Sequence, residues 1–201
     1  MSVQQELLDR FGPIDIYLFD QLLKGRIEPS QRILDAGCGR GRNLVYFAQA
    51  GYDVYAVDQD EANVAHVRAT LPRLGAERVR AATVEALPFE DDRFDVVLSN
   101  AVLHFARDHE HFDAMLTAML RVLAPGGMFF ARLASDIGIE DRVRSLGAGR
   151  HALPDGSRRY LVDEARLLAW TERAGATLLD PLKTTNVQGL RCMTTWVLRV
   201  P

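Results

Sequence analysis

Cysteine is scarce, with Cys38 and Cys192 alone in 201 residues. Two thiols make neither a disulfide framework nor a thiolate zinc site. Long apolar runs are also missing, and no stretch approaches the roughly 18 residues of a membrane span. The first residues hold no basic segment followed by an apolar core. A cytoplasmic protein that does not enter membranes is therefore expected. Positive charge is not in excess, and a net charge of −3 gives no electrostatic case for nucleic-acid binding. Repeats, low-complexity tracts and linkers are absent as well. Against these absences, 48% hydrophobic and 25% charged residues are enough for one full core. One domain over 1–201 is expected.

The most informative stretch is Ile33-Leu34-Asp35-Ala36-Gly37-Cys38-Gly39-Arg40-Gly41-Arg42-Asn43. Arg32 to Ala36 reads as a short buried parallel strand. Gly37, Gly39 and Gly41 permit a tight turn and let a ligand approach bare backbone. Asn43 to Ala50 then reads as a helix, with Gly51 as its stop. A dinucleotide fingerprint, G-x-G-x-x-G, needs a third glycine where Arg42 stands. Asp35 would also repel a pyrophosphate beside it. It suits a ligand that carries a positive amino group.

The chain around this stretch alternates between strand and helix patterns. Asp53–Asp58, Arg78–Thr83, Phe94–Ser99 and Met128–Leu133 read as strands. Helices are expected over 61–70 after Asp60 and over 109–123 after Asp108. Alternation from 32 to 133 argues a parallel sheet with right-handed crossovers. Asp58 ends the second strand, where an acid can take both hydroxyls of an adenosine ribose. NAD would use the same acid, so Asp58 alone does not choose between ligands. Residues 1–30 read as helical, broken at Gly12-Pro13, and either pack on the sheet or form a flap with Tyr17 or Phe19 at its edge. Residues 135–160, rich in glycine and arginine, read as an irregular lid or substrate loop. Asp163 caps a helix to about Ala174, and two strands, Leu178–Thr185 and Arg191–Val200, close the chain.

The pattern D-x-G-x-G-x-G at 35–41 resembles the first motif of class I S-adenosylmethionine (SAM) methyltransferases. Phe94 to Phe105 is similar to that family's fourth motif, and Leu123-Ala124-Pro125-Gly126-Gly127 to the turn before its fifth strand. Gly41-Arg42-Asn43-Leu44, Gly51-Tyr52-Asp53-Val54 and Met193–Leu198 resemble the small tellurite-resistance and thiopurine-type members. The resemblance implies a Rossmann-like, doubly wound α/β fold: a seven-stranded, mostly parallel sheet whose last strand is antiparallel. It implies SAM as cofactor, with contacts at Asp35, Gly37, Cys38, Gly39, Gly41, Asn43, Asp58, Gln59, Val84, Glu85, Ala86 and Asn100. It implies methyl transfer, and with no extra domain in view for reading RNA, DNA or protein, a small-molecule acceptor is expected. A SAM-binding regulator without turnover stays open, as does a nucleotide-linked oxidoreductase, which Asp35 and Arg42 argue against.

His104 follows the fourth strand and is the candidate catalytic residue, either orienting or deprotonating a nucleophile. With no acid–base pair in view, a soft sulfur or chalcogen acceptor, or one otherwise already ionised, is expected. Tyr17, His104 and Arg191 are the candidate substrate contacts. His109 and His111 read as solvated, and the spacing of His104, His109 and His111 argues against a metal.

Overall fold

The computed structural model describes residues 2–201. Two helices, α1 (Val3–Phe11) and α2 (Ile16–Leu23), precede the first strand. The nucleotide-type half follows as β1 (Arg32–Ala36), α3 (Val45–Ala50), β2 (Asp53–Asp58), α4 (Glu61–Thr70) and β3 (Val79–Ala81). Then come β4 (Phe94–Asn100), α5 (His109–Arg121) and β5 (Leu123–Ser135). Three short strands, β6 (Arg144–Gly147), β7 (Arg150–Ala152) and β8 (Arg158–Tyr160), lead to α6 (Glu164–Arg173). The chain ends in β9 (Thr177–Leu178), β10 (Lys183–Val187) and β11 (Arg191–Arg199).

The main sheet runs β10-β11-β5-β4-β1-β2-β3. Only β11 opposes the common direction, pairing antiparallel with β5 and β10. The expected doubly wound sheet with an antiparallel last strand is therefore what forms. The edge strand expected at 178–185 is broken, because β9 and β10 pair with different parts of β11 around Pro181. Proline cannot donate to a ladder, so the break falls there.

Side-chain capping sets where the helices start. The carboxylates of Asp15, Asp60, Asp108 and Asp163 accept backbone N–H groups at the starts of α2, α4, α5 and α6. The sheet is apolar on both faces because helices cover both. Leu34, Val97, Phe129 and Ala131 face α5 and α6, while Ile33, Val96, Leu98 and Phe130 face α2, α3 and α4. Alternating directions along a strand put these neighbours into opposite layers. Among the described residues no helix is long and apolar enough to cross a membrane.

Residues 135–160 are only in part the irregular loop that their composition suggests. Residues 136–143 are irregular, but 144–160 form an antiparallel meander in the order β6-β7-β8. The glycines punctuate it: Gly147 and Gly149 flank one turn, and Gly156 follows Pro154-Asp155 in the other. Leu153 and Leu161 pack with Ala134 near the end of β5. A single parallel bridge, Ser135 to Val162, ties the meander to the main sheet.

Candidate active site

The carboxyl ends of β1 and β4 lie side by side, since β1 pairs with β2 on one side and β4 on the other. A cavity of about 620 Å³ opens there. Such switch points are where open parallel sheets take ligands. The glycine turn lines it through Gly37, Cys38 and Gly39. The amides of Gly37 and Cys38 both donate to the Val57 carbonyl, each at 2.9 Å, which draws the turn against β2. A Cβ on Gly37, at φ +86°, would sit 2.5 Å from a Val102 methyl. At Gly39, φ +54°, the same position is open space. Gly39 therefore leaves room for a ligand, whereas Gly37 leaves room for the protein itself.

Asp58 lines the cavity and fastens the turn. Its Oδ2 accepts from Gly39 N at 2.7 Å, and its Oδ1 accepts from Asp60 N at 3.0 Å and Asn63 Nδ2 at 3.1 Å. Asp35 lies below the turn at 1% exposure, and neither carboxylate oxygen has a partner among the described residues. Burial pushes its carboxyl up to about 7, with Arg42 opposing the rise and Asp58 adding to it. Burial, with Asp35 and Asp58 nearby, also keeps the Cys38 thiol protonated. Asn100 lines the cavity from β4. Its Oδ1 accepts from Arg42 at 2.9 Å, and its Nδ2 is buried without a partner among the described residues. The next residue, Ala101, holds φ +63°, a left-handed conformation at the cavity wall.

Of the other expected cofactor contacts, Asn43, Gln59, Val84 and Glu85 line the cavity, whereas Asp35, Gly41 and Ala86 do not. Gly41 turns toward α4, 3.0 Å from a Val67 methyl by its Cβ position. Patterns of apolar residues gave no sign of Arg42, Phe105, Arg107 or Met115, which also line it. His111 corrects an expectation. It is not solvated but lines the cavity, with Nε2 3.2 Å from Glu85 Oε1 and Nδ1 accepting from Arg107 N. Glu85 is held below its ordinary range despite its burial, by backbone hydrogen bonds and His111. His109 contacts the Tyr160 hydroxyl at 2.8 Å.

The N-terminal segment is joined to the turn by polar contacts. Asn43 Oδ1 accepts from Asp15 N at 3.0 Å, and the Asp15 carboxylate receives Arg42 and Arg132, each at 3.2 Å. Tyr17 stands outside the cavity lining. Its hydroxyl meets Thr185 Oγ1 at 2.6 Å, and the Arg132 guanidinium lies 5.1 Å from its ring centroid. Arg191 is exposed beside the β10–β11 turn and does not line the cavity.

His104 is buried behind the cavity wall and is not among its lining residues. Its Nδ1 accepts from Ala134 N at 3.3 Å. Burial, then Arg159 and Arg132, push its pKa down to about 4. The ring is neutral near pH 7, and with Nδ1 accepting, its proton sits on Nε2. His104 is thus a donor. Among the described residues no group of three His, Cys, Asp or Glu could hold a metal ion.

Residues 34–131 match the family described as Methyltransferase domain. The chain is 31% identical over 158 residues to a probable S-adenosylmethionine-dependent methyltransferase of Mycolicibacterium smegmatis, covering 79% of this chain and 56% of that one. It is 33% identical over 170 residues to the uncharacterized methyltransferase YodH of Bacillus subtilis, covering 81% and 66% respectively. The chain thus spans between about half and two thirds of these relatives' lengths. The crystal structure of Burkholderia thailandensis 1,6-didemethyltoxoflavin-N1-methyltransferase shares the fold, with a TM-score of 0.67 at 24% identity, over 89% of this chain and 75% of that one. By the matched domain, these relatives and this sheet order, the chain is similar to the class I S-adenosylmethionine-dependent methyltransferases.

Proposed function

We propose that this chain binds SAM beside the glycine turn and transfers its methyl group to a small-molecule acceptor. The carrying observation is a pair of unpartnered buried groups of opposite kind. Asn100 Nδ2 offers a donor in the cavity wall at the end of β4, and Asp35 offers two acceptor oxygens near the end of β1, beneath the glycine turn and behind the lining. Unpaired buried polar groups cost about 1–3 kcal/mol each, and more when charged. The amino-acid end of SAM carries an ammonium and a carboxylate, which are the missing partners. Asp58 keeps one free lone-pair direction for a ribose hydroxyl. Val84 and Met115 offer an apolar slot for a base, with Glu85 at its edge.

When bound, SAM supplies a methyl carbon already activated by its sulfonium. The protein's task is then placement of the nucleophile and exclusion of water. His104 supports an acceptor that needs no base. Its free nitrogen carries a proton, and its lone pair is occupied by the Ala134 amide. Buried behind the wall and protonated at Nε2, the ring supplies no base to an acceptor in the cavity. This favours a soft or otherwise pre-ionised nucleophile, the class to which sulfur and chalcogen acceptors of the tellurite-resistance and thiopurine type belong. The segment 135–160 serves in this reading as a wall or lid over the acceptor.

The decisive experiment has two parts. Calorimetry with S-adenosylhomocysteine tests the cofactor site, and conversion of SAM with thiol, carboxylate and phenol acceptors tests turnover. Micromolar binding with product from an ionised acceptor is expected. Binding without turnover of any acceptor points to a regulator, and no binding overturns the proposal.

A further inference from the structure

The rim of the cavity holds positive charge that the fold does not use. Residues 142–160 carry five arginines and one acid, Asp155, in a chain of net charge −3. None of those arginines pairs with a carboxylate among the described residues. One of them, Arg159, reaches the cavity's edge, with Cζ 5.2 Å from the centroid of the Phe105 ring. Phe105 lines the cavity and is 58% exposed, unusual for a phenylalanine beside a packed core. Arg107 also lines the cavity, and its guanidinium meets no acid among the described residues.

The acids lining the same cavity are engaged. Asp58 holds three donors, Asp60 caps α4 through Ala62 N, and Glu85 faces His111. The rim therefore combines guanidinium groups that pair with no carboxylate among the described residues with a largely exposed aromatic ring, which Arg159 overlies and His104 touches. Guanidinium forks bind carboxylate or phosphate in a bidentate way. An aromatic face with a cation stacked on it suits a flat conjugated body.

We infer that this rim is an acceptor subsite for a flat, conjugated molecule bearing a carboxylate or phosphate, with Phe105 under the body and Arg159 and Arg107 on the anion. The inference rests on the methyl-transfer reading and names the substrate class that reading leaves open. Arg159 comes from β8, so the meander supplies specificity instead of serving only as cover. The anionic group is a handle and need not be the accepting atom.

Titration of the S-adenosylhomocysteine complex with 1-naphthoate, 1-naphthyl phosphate and neutral 1-naphthamide tests it. At least one anionic probe should bind tenfold or more tightly than the amide, and comparing the two identifies the anion. The double variant Arg107→Ala/Arg159→Ala should abolish that preference, and Arg159→Lys should retain part of it. Phe105→Leu should weaken all three probes alike. Unchanged melting temperatures keep folding out of the comparison. Equal binding of anion and amide, or a preference that survives the double variant, overturns the inference. S-adenosylhomocysteine affinity is measured on the same samples. Its loss in the wild-type protein would overturn the cofactor reading, whereas intact affinity without anion preference overturns this inference alone.

Discussion

Two residues behave differently from what their position along the chain suggests. His104 follows the fourth strand, where pockets open, yet it sits behind the wall as a neutral donor. His104→Ala should lower the rate with a pre-ionised acceptor by less than the roughly hundredfold expected for loss of a general base. Added imidazole should not restore it, and the pH–rate profile should keep its shape. A large loss that imidazole rescues would make His104 a base after all. Asp58 does more than its place at a strand end implies, because it fixes the turn through Gly39 N. Asp58→Ala should weaken S-adenosylhomocysteine by about 1–3 kcal/mol, the scale of charge-assisted hydrogen bonds. It should also lower the melting temperature of the free protein, which a ribose contact alone would not do. Unchanged calorimetric affinity would remove Asp58 from the cofactor site.

Among the elements, the β6–β8 meander carries the clearest expectation. Its strands have three or four residues each, and β6 is exposed throughout. Few buried contacts mean easy local opening. Amides at 146–149 and 155–157 should therefore exchange quickly in the free protein and slowly with cofactor and acceptor bound. The Leu161 amide, bonded to the Gly149 carbonyl, should be protected in both states. Equal exchange at the turns in both states would make the meander a fixed wall. The meander is also where the sequence is hardest to read. Strands such as Ile33-Leu34-Asp35-Ala36 are apolar on both faces, so local composition reveals them. The meander's pairing depends on Leu153 and Leu161 finding Ala134, a contact that no local pattern encodes. His111 is hard to read for a similar reason. Three charged or polar residues begin α5, and only its docking against Glu85 decides which one turns inward. The glycine turn, by contrast, is legible because the φ values at Gly37, Gly39 and Gly41 demand glycine in sequence.

At the scale of the whole molecule, two carboxylates couple stability to pH in opposite directions. Asp180 is pulled down to about 2, against its burial, by hydrogen bonds from Arg26, Lys24 and Gln21. It joins α2 to the segment between β9 and β10, and its contribution is present above about pH 4 and lost as pH falls through about 2. Asp35 is raised to about 7. Between its unfolded value of 3.8 and 7, the folded protein holds a proton that the unfolded chain releases. That contribution is complete below about pH 4 and lost as pH rises through 7. On these two groups the free protein is most stable on the acidic side, and above pH 7 it carries a buried, unpaired carboxylate. A cofactor ammonium would pair that carboxylate and hold it ionised. Binding should then release a proton near pH 7, and affinity should fall toward tenfold per unit as pH drops below 7. The melting temperature should accordingly rise more on adding S-adenosylhomocysteine at pH 8 than at pH 5.5. Calorimetry in two buffers of different ionisation enthalpy reads the proton directly. Asp35→Asn should stabilise the free protein at pH 8 by on the order of 2 kcal/mol while weakening the ligand and removing its pH dependence. Affinity that is flat from pH 6 to 8, or a variant that binds as tightly as wild type, would show that Asp35 does not face the ammonium.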